Sequence, residues 1–450
     1  MIPPSPQIGS AAPTTNVLAN RHFLFLWLAQ AVTQVGGNMV IYGLTVIIFS
    51  ATNSSTAISA LLLTFLVPAV LFSALAGVYV DRHDRRRVLI ATNVLRAAAF
   101  AVVFVAQDQL LVVYAMNIIV STLTTFFGPA EAAMIPFIVP RRQLLAANGL
   151  FTLTLNAAFA LGFALFGPLA VTLAGPGALI LVVAAFYLAA AVLCVTLPSD
   201  APPPLGHRPT REAVAEAERA VGSAFAQLAE GVSFIRSHRS ISWSLLYLGI
   251  TASLIGVLGV LGPDFATDAL GLAPKDFVVI VLPLGVGIVA GLIGLNGYGR
   301  RLPRRRVIEV GLIALGGLLV VLSVARPLTR FLQGVEAEVP LGDVPSLVSM
   351  LSVVVGIAFL VGIAYAIVAI PSQTQLQEDL PEEVRGRVFG VLNMLVSVAS
   401  FLPIIVVGPI ADLVGTPIVI FAIGAAVAVL GVVSVISRGP LKPVAGGRQG

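Results

Sequence analysis

Apolar residues fill long uninterrupted runs of this chain, and the polar ones collect in short stretches between them. A run of about 20 apolar residues is long enough to cross a hydrocarbon layer of about 30 Å as a helix, the form that satisfies every backbone group internally. Twelve such runs are readable, at 23–49, 57–80, 88–106, 110–137, 145–172, 177–198, 241–264, 276–298, 307–325, 346–375, 385–412 and 415–437. The pattern predicts an all-α membrane protein with twelve transmembrane helices.

Composition agrees with the lipid bilayer as solvent. Of 450 residues 58% are apolar and 10% charged, and the mean hydropathy is +1.01. A soluble core cannot hide that much apolar surface. The single cysteine, Cys194, excludes a disulfide framework and any cysteine-based metal site, and reads as filler in an apolar helix. The formal charge of +5 is carried mostly by arginines that lie between the apolar runs. Their placement sets membrane orientation, and no nucleic-acid partner is expected.

An even number of spans puts both chain ends on one side. On that side fall Arg21, then Arg82, Arg85, Arg86 and Arg87, then Arg141 and Arg142. Arg208, Arg211, Arg219, Arg236 and Arg239 follow in the central loop, then Arg300, Arg301, Arg304, Arg305 and Arg306. Arg385, Arg387, Arg438, Lys442 and Arg448 complete 22 of the 26 basic residues. Lys275, Arg326 and Arg330 lie opposite, and Arg96 lies inside a span. Positive charge is retained in the cytoplasm, so both termini are expected there. Residues 1–20 hold no apolar stretch for a cleavable signal and read as a disordered cytoplasmic tail.

The longest polar stretch, 199–240, falls between spans six and seven. It opens with Pro202, Pro203 and Pro204, which favour an extended start. Val214, Ala217, Val221, Phe225, Leu228, Val232 and Ile235 then mark one face of an amphipathic helix, read as a tether on the membrane surface or under the bundle. On either side of it the chain repeats itself. Pro140, Gly149, Gly167, Pro168 and Pro176 return 241 residues later as Pro381, Gly390, Gly408, Pro409 and Pro417. The string from Arg85 to Val88 returns at Arg304 to Val307. Gly and Pro set backbone shape, so the matches indicate two related six-helix units. The expected organisation is an N-terminal tail (1–20), a six-helix bundle (21–198), the linker (199–240), a second bundle (241–437) and a C-terminal cytoplasmic tail (438–450). Parallel repeats of this kind are the pattern of a transporter that binds its solute between the halves near mid-membrane.

The loop between spans two and three reads G-V-Y-V-D-R-H-D-R-R-R over residues 77–87. It resembles the signature of the major facilitator superfamily, with Gly77, Asp81, Arg82, Arg85 and Arg86 at matching positions and Asp84 in place of the usual glycine. Glycine admits close helix approach. Asp81 is expected to face the N-terminus of span eleven near Val384. Arg85, one helical turn from Asp81, is expected to pair with it or with a second carboxylate. Together they would latch one conformation and release when the halves rock; the bland reading is that these arginines only enforce topology. The second-half copy from Asn296 keeps the basic end and lacks the aspartate. In span five, Gly167 and Pro168 resemble the centre of an antiporter motif whose flanking glycines are absent here, and a kinked, thinned helix there suits a pivot. The stretches 84–97, 129–150, 230–236 and 380–390 resemble the group containing macrolide-efflux proteins and enterobactin exporters, which are drug:proton antiporters. The resemblance implies the major facilitator fold of two pseudo-symmetric six-helix bundles, in a bacterial inner (cytoplasmic) membrane.

Charges within spans need a reason. Arg96 on span three and Glu131 on span four lie at similar depth, about 13–15 Å from the cytoplasmic edge at 1.5 Å per residue. They form either a static ion pair or a site where Glu131 takes up and releases a proton. Asp264, Asp268 and Asp412 near outer ends, and Glu309 near an inner end, read as solvated or capping groups. Gln30, Gln34 and Asn38 recur at four-residue spacing on one face of span one, where they line a cavity or hold helices together. Asn156, Tyr365 and Gln373 are further cavity candidates, with Asn117, Tyr247 and Asn393 weaker ones.

These readings favour proton-coupled efflux of a small amphiphilic drug or metabolite by alternating access, by a monomer. Uptake of a small metabolite, or lipid flipping, is the alternative within transport, and a non-transporting scaffold is the remote one. No enzyme is expected: the chain carries no H-E-x-x-H, G-x-S-x-G or phosphate-binding G-x-x-x-x-G-K, and its four histidines lie at or outside membrane edges. No cofactor and no metal is expected.

Overall fold

A computed structural model describes residues 17–199, 239–298, 303–328, 350–379 and 401–438. The linker with its amphipathic face, the two tails beyond these limits and the first turns of span eleven lie outside the described residues.

Each apolar run within them is helical, and side chains cap the first three of these helices. In α1 (Arg21–Thr52) the Asn20 side chain accepts from the backbone N–H groups of His22 and Phe23, and the helix stops at Asn53, which turns left-handed at φ 47°. Ser54 caps α2 (Ser55–Arg82), and Asp84 caps α3 (Arg85–Val105). After α4 (Leu110–Ile138), α5 (Leu144–Phe159) widens into a π-helical stretch, Ala160–Phe166, and continues as α6 (Gly167–Val195). Gly175, at φ 83°, breaks α6 into the end of crossing five and the whole of crossing six. The second half holds α7 (Arg239–Leu270), α8 (Val278–Tyr298), α9 (Arg304–Ser323), α10 (Met350–Asp379), α11 (Phe401–Val414) and α12 (Thr416–Arg438). Among the described residues ten stretches are long and apolar enough to cross a membrane. One of these contains crossings five and six, and α11 is the described part of the eleventh, so all twelve expected spans are represented.

The two halves pack alike. In the first, α2 lies on α4 and α3 on both α4 and α6; in the second, α8 lies on α10 and α9 on both α10 and α12. The repeated arginines open the equivalent helices α3 and α9. The repeated Gly-Pro pairs are each followed by a helix-breaking glycine at positive φ, Gly175 at 83° and Gly415 at 90°. Lipid supplies no hydrophobic force between helices, so backbone proximity holds them. A Cβ on Gly316 would lie 2.6 Å from the Gly424 carbonyl oxygen, and one on Gly424 would lie 2.8 Å from that of Gly316.

Among the described residues three apolar clusters fill the interior. One is centred on the second half but includes Phe49 and Ile58 of the first. Another is centred on the first half but includes Ala266 and Phe277 of the second. Both exchanges occur at the end away from the arginine-rich loops. The third cluster, around Phe23, Phe127 and Met134, lies at the arginine-rich end and draws its described residues from the first half alone.

Candidate functional site

The two halves are tied together at the arginine-poor end. Asp412, near the end of α11, reaches the start of α2. Its Oδ1 accepts from the Ser55 N–H at 2.8 Å; its Oδ2 accepts from the Ser54 hydroxyl at 2.6 Å, the Thr56 N–H at 3.0 Å and the Thr56 hydroxyl at 2.6 Å. One turn further along, the Ser59 hydroxyl donates to the Ile404 carbonyl at 2.7 Å. A Cβ on Gly408 would meet the Ser55 carbonyl oxygen at 2.5 Å, so α2 and α11 touch backbone to backbone. The related contact between the fifth crossing and α8 is also close, a Cβ on Gly285 falling 3.2 Å from that of Ala164. Tyr42 of α1 donates to the Lys275 carbonyl at 2.7 Å and stacks on Phe277, with ring centroids 4.4 Å apart. Beside this seal a cavity of about 500 Å³ is lined by Asn53, Asp264, Thr267, Asp268 and Asp412. Asp412 is a capping group as the sequence suggests, but it caps a helix of the opposite half. Asp264 accepts from the Thr416 hydroxyl within its own half.

Arg96 and Glu131 are both buried, at 2% and 7% exposure, yet no hydrogen bond or ion pair within 4.0 Å joins them. The expected static pair is therefore replaced by another arrangement. The Arg96 guanidinium lies between two aromatic faces, 4.4 Å from the Phe127 centroid on α4 and 4.6 Å from that of Tyr187 on α6. It donates to the Asn93 side-chain oxygen at 2.7 Å, the Thr92 carbonyl at 3.3 Å and the Thr124 hydroxyl at 3.4 Å. Asn93 also donates toward the Cys194 Sγ at 3.9 Å. The reason is register: Phe127 sits where the guanidinium arrives, and Glu131 follows it one helical turn along α4. One Glu131 oxygen, Oε1, is buried without a hydrogen-bond partner. Reading charges in pairs overlooks Phe127, Tyr187 and Asn93, which carry no formal charge to announce them.

The loop motif is rearranged relative to the sequence reading. Helix α2 ends at Arg82 and His83 is extended, at φ −120° and ψ 156°. Asp81 and Arg85 consequently belong to different helices, and the expected one-turn spacing between them does not exist. Asp81 is exposed, and a Cβ on Gly77 would meet no atom of the described residues within 4 Å. The buried acid is Asp84, which stands where the family pattern has glycine. It accepts from the Arg86 N–H at 3.0 Å and the Ser199 hydroxyl at 2.6 Å, and lies 3.7 Å from the Arg87 Nε. Val384, the expected partner end for Asp81, lies outside the described residues.

The cavity candidates separate. Gln30 is buried with its Oε1 unpartnered. Gln34 and Asn38 are half-buried, and Asn38 turns its Nδ2 to the Gln34 carbonyl at 2.8 Å. The Asn38 Cβ packs against the π-helical stretch, 2.7 Å from where a Cβ on Gly162 would lie. Gly167 closes that stretch by donating to the Gly162 carbonyl, the wide i to i−5 bond of a π turn, just before Pro168. Tyr365 lines a small apolar crevice with Leu258, Leu284 and Leu315, and Gln373 is half-buried on the same helix. The side chain of Asn156 and all of Asn393 lie outside the described residues. Asn117 holds α4 to α2 through the Thr64 hydroxyl at 2.6 Å. Glu309, read as a solvated or capping group, is 4% exposed and so not solvated. It accepts from Arg305 at 2.8 Å and from the Ser434 hydroxyl at 3.2 Å, and Ser434 also bonds the Tyr247 hydroxyl.

Comparison with known proteins agrees with this geometry. The family model described as Major Facilitator Superfamily matches residues 26–404. The multidrug efflux pump Tap of Mycolicibacterium fortuitum is 25% identical over 92% of this chain and 95% of its own. Macrolide efflux protein A of Streptococcus pyogenes is 23% identical over 87% of this chain and 90% of its own. Among solved structures, the nucleoside transporter NupG superposes with a TM-score of 0.63 at 13% identity, covering 92% of this chain and 98% of that one. An auto-inhibited POT family peptide transporter gives 0.63 at 14% identity, covering 96% and 99%. With the family model matched over most of its length and twelve helices arranged as two similar bundles, this chain belongs to the Major Facilitator Superfamily and is a membrane transporter.

Proposed function

We propose that this protein exports amphiphilic drugs or metabolites from a bacterial cytoplasm by proton-coupled alternating access. The observation that carries the proposal is the one-sided seal. Asp412, Ser59, Tyr42 and the Gly408 contact join the halves at the arginine-poor end, while among the described residues the core cluster at the arginine-rich end draws on one half alone. The excess of arginine assigns the sealed end to the outside and both termini to the cytoplasm. The conformation is then inward-facing, ready to load from the cytoplasm. The reverse state needs the halves to rock, with the π-helical stretch before Gly167 and Pro168 absorbing the bend and the loop residues Gly77, Asp81, Arg82, Arg85 and Arg86 closing the inner end. The efflux functions named for the Mycolicibacterium and Streptococcus relatives favour export over uptake.

Proton coupling is assigned to Glu131, because a buried carboxyl with an unpartnered oxygen is costly as a charge and can be stabilised by a proton. Gln30, Gln34, Asn38, Tyr365 and Gln373 offer a few polar groups in an otherwise apolar surround, a chemistry that tolerates varied amphiphiles. Inverted vesicles with an acid interior test this directly. Wild type should accumulate a fluorescent amphiphile, and Glu131→Gln should lose that accumulation while retaining exchange of labelled for unlabelled substrate. Unchanged gradient-driven accumulation in the variant would remove Glu131 from coupling. Accumulation only in right-side-out vesicles would make the protein an importer.

A further inference from the structure

A groove of about 660 Å³ lies outside the proposed path, at the arginine-rich end of the first half. Its rim carries Arg82, His83 and Arg87, and its wall is apolar, formed by Val88, Ala91 and Leu95 of α3 with Leu123 and Phe126 of α4. Helix α3 packs on α4 and α6 of its own half, so its other face looks outward to lipid. Leu95 is 52% exposed and Tyr79 45% exposed along that opening. We infer that this groove is a binding site for one anionic diacyl phospholipid of the cytoplasmic leaflet, with its phosphate at Arg82, His83 and Arg87 and an acyl chain along the α3–α4 wall.

Charge and depth together select this occupant. A phosphodiester needs cationic donors at headgroup level, and basic pockets between helices on the cytoplasmic side supply them. The Arg87 side chain is 87% exposed, and its contact with Asp84 is a loose 3.7 Å. The one acid on the rim, Asp84, is itself engaged by the Arg86 N–H and the Ser199 hydroxyl. His83 is held by its ring, which stacks on Tyr79 at 3.8 Å, and by an Nδ1 contact of 2.7 Å to the Tyr79 carbonyl. A soluble anion would need only the rim. The wall from Arg87 to Leu95 descends about 12 Å at 1.5 Å per residue, which matches a glycerol backbone and the first part of an acyl chain. The site borders the loop between α2 and α3, so its occupant bears on the turn that must rearrange when the inner end closes. It does not depend on the direction of transport or on the coupling ion.

Native mass spectrometry of the full-length protein, after delipidation with increasing detergent, reads the site. Wild type should retain one phosphatidylglycerol in preference to phosphatidylethanolamine of the same chains. Arg87→Glu should lose that retention about tenfold, as the removal of a charge-assisted contact implies. Arg306→Glu, the same charge change at the repeat-related position on α9, should keep it. Ala91→Trp should also lose it, by filling the wall without altering charge. Equal retention by wild type and both groove variants, or no preference for the anionic lipid, would overturn the assignment. So would displacement of the bound species by millimolar inorganic phosphate, which would make the rim a soluble-anion site.

Discussion

The Asp412 carboxylate accepts from the Ser55 N–H at 2.8 Å, so a helix of the first half is capped by a side chain of the second. Ser54 already caps α2 in the ordinary way, accepting from the Ala57 N–H. Asp412 takes what remains, the N–H groups of Ser55 and Thr56 and two hydroxyl protons. A carboxylate at a helix N-terminus adds attraction to the macrodipole to its hydrogen bonds. If this end opens during transport as proposed, all of these contacts break in one step, which suits a gate with two positions.

Asp412→Asn retains the shape and one acceptor but removes the charge. Screened by water at an exposed position, the loss is about 1 kcal/mol, or about fivefold in the balance between closed and open states. Ala266, buried where the halves share a core, is a suitable reporter. In a Cys194→Ser, Ala266→Cys background, an impermeant maleimide should label the Asp412→Asn variant about five times faster than its parent from the arginine-poor side. An unchanged rate would mean that this cap does not control the gate.

Arg96 is held by geometry as much as by charge. A planar guanidinium fits between Phe127 and Tyr187, and an ammonium does not. Arg96→Lys should cost about 2 kcal/mol and lower the melting temperature by about 4 °C. Tyr187→Leu should cost a similar amount. The two together should cost less than their sum, because both remove one stack. Additive losses would show that Arg96 is held by Asn93 and the carbonyls alone.

The spans and the repeat were legible in the sequence because their signals are local. Apolar runs mark α1 to α12, and Gly167-Pro168 with Gly408-Pro409 mark two equivalent bends. The seal between α2 and α11 was not legible, since Ser54 and Asp412 lie 358 residues apart and each reads alone as an ordinary cap. The Arg96 centre was half legible. Its charge is conspicuous, but the aromatic faces that receive it look like common core residues. Asp81 and Arg85 read as one turn apart only while the loop is taken as helix, and the extended His83 separates them.

Glycines of the second half divide by what surrounds them. Gly362 and Gly287 face each other across α10 and α8, and a Cβ on either would strike the backbone carbonyl of the other helix. A Cβ on Gly294, two turns along α8 from Gly287, would meet no atom of the described residues within 4 Å. Gly362→Val should therefore prevent folding, read as loss of the monodisperse peak in detergent chromatography. Gly294→Ala should be neutral or gain a few tenths of a kcal/mol from helix propensity. Equal behaviour of the two would mean that α8 and α10 are not held at this spacing.

Gly77 behaves differently from those packing glycines, and the difference bears on the cycle. No atom of the described residues lies within 4 Å of where its Cβ would be, and nearby Asp81 is exposed. No described residue uses the room that glycine leaves while the arginine-poor end is sealed. If α2 closes on α11 at the inner end in the opposite state, that room is filled there. Gly77→Leu should then leave the melting temperature and equilibrium substrate binding near wild type but slow turnover about tenfold, because only one of two states is obstructed. Gly77→Ala should show the same pattern more weakly. A Gly77→Leu variant that transports at the wild-type rate would show that no partner approaches Gly77 in either state, leaving Asp81 and the loop arginines as topology signals alone.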